Sequence, residues 1–396
     1  MIVKKKIQGY PFLFIHEPNK VIHLEAVVHS GFIHETKYTT GVNHLLEHVL
    51  ISSWEKCKTS CIDYWRKRGV YVNASTDKSI MKYYIQGTKP DIPDMVRYLS
   101  TIITHALFSG STLQKEKKAV VDELLDLNVD DNKLNDVFHK HFYSIEGIQY
   151  AEDVSLQLKI VNTLTLKEVQ KSYDAFNTEN ILFLVYGSYD SSIESLFHQY
   201  LKPKVGRLLP DIDCFTNRHD IIFTKYNKKI TTILLGFPSN LQTYFLPYFK
   251  LLLHDLLFEE LRTKHHYIYD IKIDCEAFRC GTVTYIQLQV QPDNAMIVFH
   301  SVLKCLKQYQ TQLISEVEVD GIQKSMFYKY QTTYSYIDYY SFFIHQKNPL
   351  TKKQLIEKRK EFTPKVFRQL CRELCSLNKA LCVYQNKTPL NFTFNI

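Results

Sequence analysis

The stretch His44-Leu45-Leu46-Glu47-His48 constrains this chain more than any other five residues in it. On a helix, two histidines four apart lie on one face, where their imidazoles can share one metal ion. Glu47, three residues after His44, falls on much the same face and can reach a water held by that metal. Leu45 and Leu46 point elsewhere and can anchor the helix in a core. A zinc ion so held lowers the pKa of a bound water to roughly 7, and a neighbouring carboxylate can then take its proton. The order H-x-x-E-H is the inverse of the commoner H-E-x-x-H. It obliges the fold to bring a further ligand from elsewhere, because catalytic zinc takes three protein ligands and keeps one position open.

Three other segments bear on this. Residues 113–127 read as a helix, with Val120, Val121, Leu124 and Leu125 at helical spacing. Glu116 and Glu123 lie two turns apart on one of its faces; taken alone, this is an ordinary solvated helix. In residues 69–77, the alternation of Tyr71, Asn73 and Ser75 predicts a strand, followed by a turn and a second strand at 81–86. Arg262 and Tyr269 follow an apolar helix predicted over 246–261.

With these segments in order, nearly the whole chain resembles the zinc peptidase family that includes pitrilysin, insulysin and the mitochondrial processing peptidase. The resemblance implies that His44 and His48 are zinc ligands, Glu47 the general base and Glu123 the third ligand. Glu116 would support the site by orienting His44 or His48, though it also reads as a surface glutamate. Asn73 and Ala74 match the family's strand beside the zinc, on which an extended substrate would pair through its backbone. Arg262 and Tyr269 match a pair that stabilises the substrate carbonyl as charge grows on it. Gly41 completes the lead-in to the motif. The implied function is that of a zinc-dependent endopeptidase, with one Zn2+ per chain, acting on peptides or unfolded segments inside a closed chamber. The alternative is a non-catalytic relative serving as a structural or peptide-binding subunit. The family's Arg and Tyr reach the zinc from the opposite half of a clam-shell, and this chain is half the length of the single-chain members. A homodimer with sites completed in trans is therefore expected. Asn73 to Thr76 and the residues around His48 also resemble the poxvirus-type branch, which would imply association with a virion.

Composition narrows the remaining classes. Hydrophobic residues at 45% and charged residues at 23%, with only 12 Gly and 12 Pro, describe packed globular chain. The net charge of +8 has no concentrated basic arm beyond Lys4-Lys5-Lys6, so it reads as solvated surface and nucleic acid is not an expected partner. No apolar window is long enough to span a membrane, and the start lacks the pattern of a signal or transit peptide. The nine cysteines are irregularly spaced, which predicts reduced thiols and a cytoplasmic setting.

The predicted fold class is α+β: two similar domains, each a mostly antiparallel sheet with helices on one face. Residues 1–202 form the zinc-binding catalytic domain. The Pro-, Gly- and charge-containing stretch 203–217 is a linker. Residues 218–396 form a second homologous domain without zinc, carrying the Arg262/Tyr269 pair. The run Ile181-Leu182-Phe183-Leu184-Val185-Tyr186-Gly187 predicts a buried central strand. The helix matching the zinc helix in the second half has His254 and Glu259 but no H-x-x-E-H. His139 and His141, on a helix predicted over 134–141, read as surface or core residues rather than ligands.

Overall fold

The computed structural model describes residues 2–18, 20–56, 60–127, 129–210, 212–216, 218–226, 229–330, 350 and 352–394. Two compact units emerge, Met1–Val129 with Ile145–Asp211, and Asp130–Ser144 with Ile212–Ile396.

The first unit is built on a six-stranded sheet. Its strands are β1 (Ile2–Ile7), β2 (Tyr10–His16), β3 (Ile22–Val28), β4 (Tyr71–Thr76), β5 (Met81–Gly87) and β6 (Ile181–Gly187), in the order β1-β2-β6-β3-β5-β4. All neighbours are antiparallel except β2 and β6, which run parallel. The apolar run of β6 is explained by its place between β2 and β3. Along β3, Ile22, Leu24, Ala26 and Val28 enter the core, which they share with Leu45, Leu46, Val49 and Leu50 of helix α1 (Val42–Ile51). The same core takes Met95, Val96, Leu99 and Ile103 of α3 (Ile92–Thr104) and Leu113, Val120 and Leu124 of α4 (Gly110–Asp126). Asp91, just before α3, folds its carboxylate back onto Thr88 and closes the short turn that leads into the helix. Short helix α2 (Cys61–Arg66) connects α1 to β4.

The second unit holds a five-stranded sheet. Its strands are β7 (Asp220–Lys225), β8 (Thr231–Ser239), β9 (Ile268–Phe278), β10 (Gly281–Val290) and β11 (Leu381–Asn386), in the order β7-β11-β8-β10-β9. Again one pair is parallel, β7 with β11, and the others antiparallel. Strand for strand this is the order β2-β6-β3-β5-β4 of the first unit. A helix also falls at the same place in both: α1 between β3 and β4, and α6 (Leu246–Phe258) between β8 and β9. The duplication expected from the sequence is therefore visible as topology.

One element departs from the expected domain ranges. Helix α5 (Val129–Phe142), predicted within residues 1–202, belongs to the second unit apart from its first residue. The cause is aromatic packing. Phe138 stacks on Phe142 and meets Tyr285 of β10 edge to face. Opposite Tyr285, β8 carries Gly236, where an added Cβ would lie 2.2 Å from the Phe138 ring.

The expectation of reduced cysteines fails at Cys61, which is disulfide-bonded; Cys57 lies outside the described residues. The other described cysteines are free. No helix among the described residues is long and apolar enough to cross a membrane.

Candidate metal centre

The zinc-motif helix starts abruptly. Gly41, at its N-cap, has φ +83°, a left-handed conformation that glycine adopts without strain, and offers no side chain to cap the first amides. Glu35 supplies the cap from six residues upstream. Its two carboxylate oxygens accept from the backbone N–H groups of Gly41 and Asn43, each at 2.8 Å. Negative charge is favoured at a helix N-terminus. Burial works the other way and pushes the Glu35 carboxyl up to about 8. Asn43 then ties the first turn to Gly31 through its side-chain amide, 2.9 Å from the carbonyl.

From this start, Leu45 and Leu46 go into the core and leave His44 and His48 on the partly exposed face, their ring centroids 5.0 Å apart. Helix α4 presents Glu123 to both. Its Oε2 lies 3.3 Å from His44 Nε2 and 3.5 Å from His48 Nε2. Among the described residues, these three form the one group of His, Cys, Asp and Glu that could hold a metal ion, with one ligand atom from each lying within 4.8 Å of the others.

The spacing tests whether zinc fits. Charge-assisted N–H···O bonds close to about 2.7–2.9 Å, shorter than either contact. Tetrahedral zinc with bonds of 2.0–2.2 Å places neighbouring ligand atoms about 3.3–3.6 Å apart. Both contacts match that edge, and the donor set of two imidazoles and a carboxylate is one zinc takes. The residues fit the ion.

Glu116 lies on the same face of α4, two turns before Glu123, and approaches His48 rather than His44. Its Oε2 is 3.6 Å from His48 Nδ1, the nitrogen on the far side of the ring from Glu123. Its other oxygen accepts from the Ser52 hydroxyl at 2.8 Å. A carboxylate behind a ligand histidine fixes the ring's orientation and tautomer.

Glu47 is buried beside these rings, and its carboxylate accepts from the Thr76 hydroxyl at 2.6 Å. Burial raises the Glu47 carboxyl above its ordinary value, against the Thr76 hydrogen bond and both imidazoles. Burial alone would lower the His48 imidazole, but Glu116, Glu123 and Glu47 hold it above the usual histidine value. The neighbouring imidazoles, His44 foremost, hold Glu123 below the ordinary carboxylate range.

Thr76 ends β4, the edge strand of the first sheet, whose one neighbour among the described strands is β5. Asn73 faces outward on β4. Its side-chain amide donates to Tyr71 and Tyr84 at 3.2 and 3.3 Å, while its carbonyl accepts from the Ala74 backbone at 2.9 Å. Arg262 and Tyr269 belong to the second unit. Arg262 lies in the π-helical turn Glu259–Lys264 that extends α6, and its guanidinium sits 5.6 Å from the centroid of the Tyr269 ring, which is 83% exposed.

Sequence reasoning missed Glu35, Ser52 and the part played by Thr76. Thr76 could have been found, as the hydroxyl ending a strand already placed beside the motif.

Residues 12–151 match the family described as Insulinase (Peptidase family M16), and residues 163–326 match the Peptidase M16 inactive domain. The chain belongs to the M16 peptidase family. The M16 chain is 21% identical over 201 residues to the mitochondrial-processing peptidase subunit beta of Dictyostelium discoideum, covering 49% of this chain and 42% of that subunit. The match thus spans less than half of the relative's length. Among solved structures, a protease from Helicobacter pylori superposes with a TM-score of 0.84 at 15% identity, over 98% of this chain and 99% of that one. The periplasmic protease PqqL from Escherichia coli superposes at 0.72 and 14% identity, over 98% of this chain but 48% of PqqL. These likenesses show the two-domain M16 fold, and this chain corresponds to about half of PqqL.

Proposed function

We propose that this M16 chain is a zinc-dependent endopeptidase that hydrolyses peptides or unfolded segments bound in extended form. The observation that carries this is the convergence of His44, His48 and Glu123, at zinc-like spacing, beside the buried carboxylate of Glu47. His44, His48 and Glu123 hold the metal. Zinc there supplies Lewis acidity, acidifying water and polarising a peptide carbonyl.

The rest is done by this chain's own side chains. Glu47 takes the proton of the attacking water and passes it to the leaving amine. The Thr76 hydroxyl fixes the carboxylate that does this, and Glu116 fixes the His48 ring. The outer edge of β4 at Asn73 and Ala74 receives the substrate backbone, which orients a peptide while tolerating many side chains. Arg262 and Tyr269 stabilise the negative charge developing on the scissile carbonyl, an effect worth about 3 kcal/mol when such donors are well placed. We assign that pair to the site of a second copy, in a homodimer that encloses the substrate.

A non-catalytic role has some support in the match of residues 163–326 to the family's inactive domain. The intact ligand set and general base favour turnover. Zinc content by atomic absorption, with cleavage of a mixed peptide library read by mass spectrometry, tests the choice. The expected result is one zinc per chain and cleavage that a chelator abolishes. Glu47→Gln should keep the zinc and lose roughly 10²–10⁴-fold in rate. Protein that takes up no zinc, or cleavage indifferent to chelator, sinks the proposal.

A further inference from the structure

Far from the metal ligands in sequence, the second unit brings two free thiols together. The sulfurs of Cys214 and Cys280 lie 2.9 Å apart, although the residues are 66 positions apart in the chain. Each sits in a braced segment. Cys214 accepts from the Ser144 N–H through its carbonyl at 2.9 Å, the Ser144 hydroxyl donates to the neighbouring Asp213 carbonyl at 3.0 Å, and Phe215 forms a bridge with Tyr143. Cys280 lies in the two-residue turn between β9 and β10. There the Gln242 side-chain amide donates to the carbonyls of Phe278 at 2.6 Å and Arg279 at 2.8 Å. Phe215 and Phe278 pack edge to face and press the two segments together. The sulfurs need close by only about 0.9 Å to reach covalent distance.

We propose that Cys214 and Cys280 are a disulfide-forming thiol pair, the site at which this chain reacts with a low-molecular-weight disulfide such as oxidised glutathione. The two thiols have different parts in the reaction. Cys214 is fully buried, and Cys280 is partly exposed. The hydrogen bond from Cys214 holds the Cys280 thiol below its ordinary value and favours its thiolate. The Cys280 thiolate therefore attacks a sulfur of the incoming disulfide, forms a mixed disulfide and releases one thiolate of the reagent. Cys214 gives up its proton and attacks the Cys280 sulfur, expelling the second thiolate. The net reaction takes two protein thiols and one reagent disulfide to one internal disulfide and two reagent thiols, so electrons and protons balance. The product ties the segment at 212–216 to the β9–β10 turn.

The reaction uses none of the residues proposed to hold zinc and does not depend on that proposal. The test is to incubate the native full-length protein with oxidised glutathione, quench with an alkylating agent and map tryptic peptides without reduction. The expected product is peptide 208–218 joined to peptide 280–304, separated again by dithiothreitol. Cys214→Ala should leave a stable glutathione adduct on Cys280. Cys280→Ala should leave Cys214 unmodified in the folded protein. Recovery of both thiols alkylated and unlinked after exposure overturns the proposal. So does a glutathione adduct persisting on Cys280 in the wild type, or pairing of either residue with another cysteine.

Discussion

Glu35 carries a carboxyl group that burial and the helix start pull in opposite directions. With its folded pKa about 8 and an ordinary value of 4.5, folding takes up a proton between those pH values. The stability this group contributes is full below about pH 4.5 and is lost as pH rises through 8, at about 1.4 kcal/mol per unit of difference. Glu35→Gln cannot ionise, so its stability should fall less than wild type between pH 5 and 8.5. Denaturant unfolding in the presence of chelator measures this, and the wild-type minus mutant difference removes the parallel titration of His48. Equal slopes for the two proteins would refute the argument. The role of Glu35 was illegible in the sequence for a physical reason. Helix-capping patterns are read within about three residues of the cap, whereas Glu35 reaches Gly41 and Asn43 across a loop. His44, Glu47 and His48 were legible because they share one regular helix, where spacing fixes the face; Glu123 was legible only through the family resemblance, because spacing along α4 does not say which other helix that face meets.

Helices and strands were read with similar unevenness. Strands β4 and β5 and helices α1, α4 and α6 stand close to where periodicity placed them, whereas β6 was marked by an unbroken apolar run and is buried along nearly its whole length. Strand β1 escaped notice because its middle is Lys4-Lys5-Lys6, exposed at a sheet edge. Helix α5 was recognised as a helix, but chain order does not reveal which core a helix joins. Its allegiance rests on Phe138, and Phe138→Ala would remove a fully buried ring lying over Gly236. A loss of about 3–5 kcal/mol is expected. By hydrogen exchange the effect should appear in β8 and β10, with amides of β3 and β5 unchanged. Loss of protection in β3 and β5 instead would mean that α5 supports the first unit.

On the scale of the whole molecule, the functional proposal requires more than one copy. If Arg262 and Tyr269 complete a neighbour's centre, two dead variants should repair each other. Mixing Glu47→Gln chains with Arg262→Ala/Tyr269→Phe chains leaves one intact site in each mixed dimer. Random pairing should then restore about a quarter of wild-type activity. A mixture no more active than its parents would place each pair with its own chain's metal ligands. The repeated order of the two sheets was only partly legible. Alternation marks a strand but does not say which strand lies beside it, so the parallel pairs β2/β6 and β7/β11 came from the structure alone.

Those parallel pairs bear on how the chain is made. In each sheet the strand that joins the opening segment, the β1–β2 hairpin or β7, to the rest is the last of the sheet's strands to leave the ribosome. Phe12 waits for Phe183, and Ile222 waits for Val383. Until then, among the described strands, β7 has no sheet neighbour and β2 has just its hairpin partner β1. Each half of the nascent chain must therefore hold an open seam through most of its own synthesis, a stage at which a chaperone or a protease would find it.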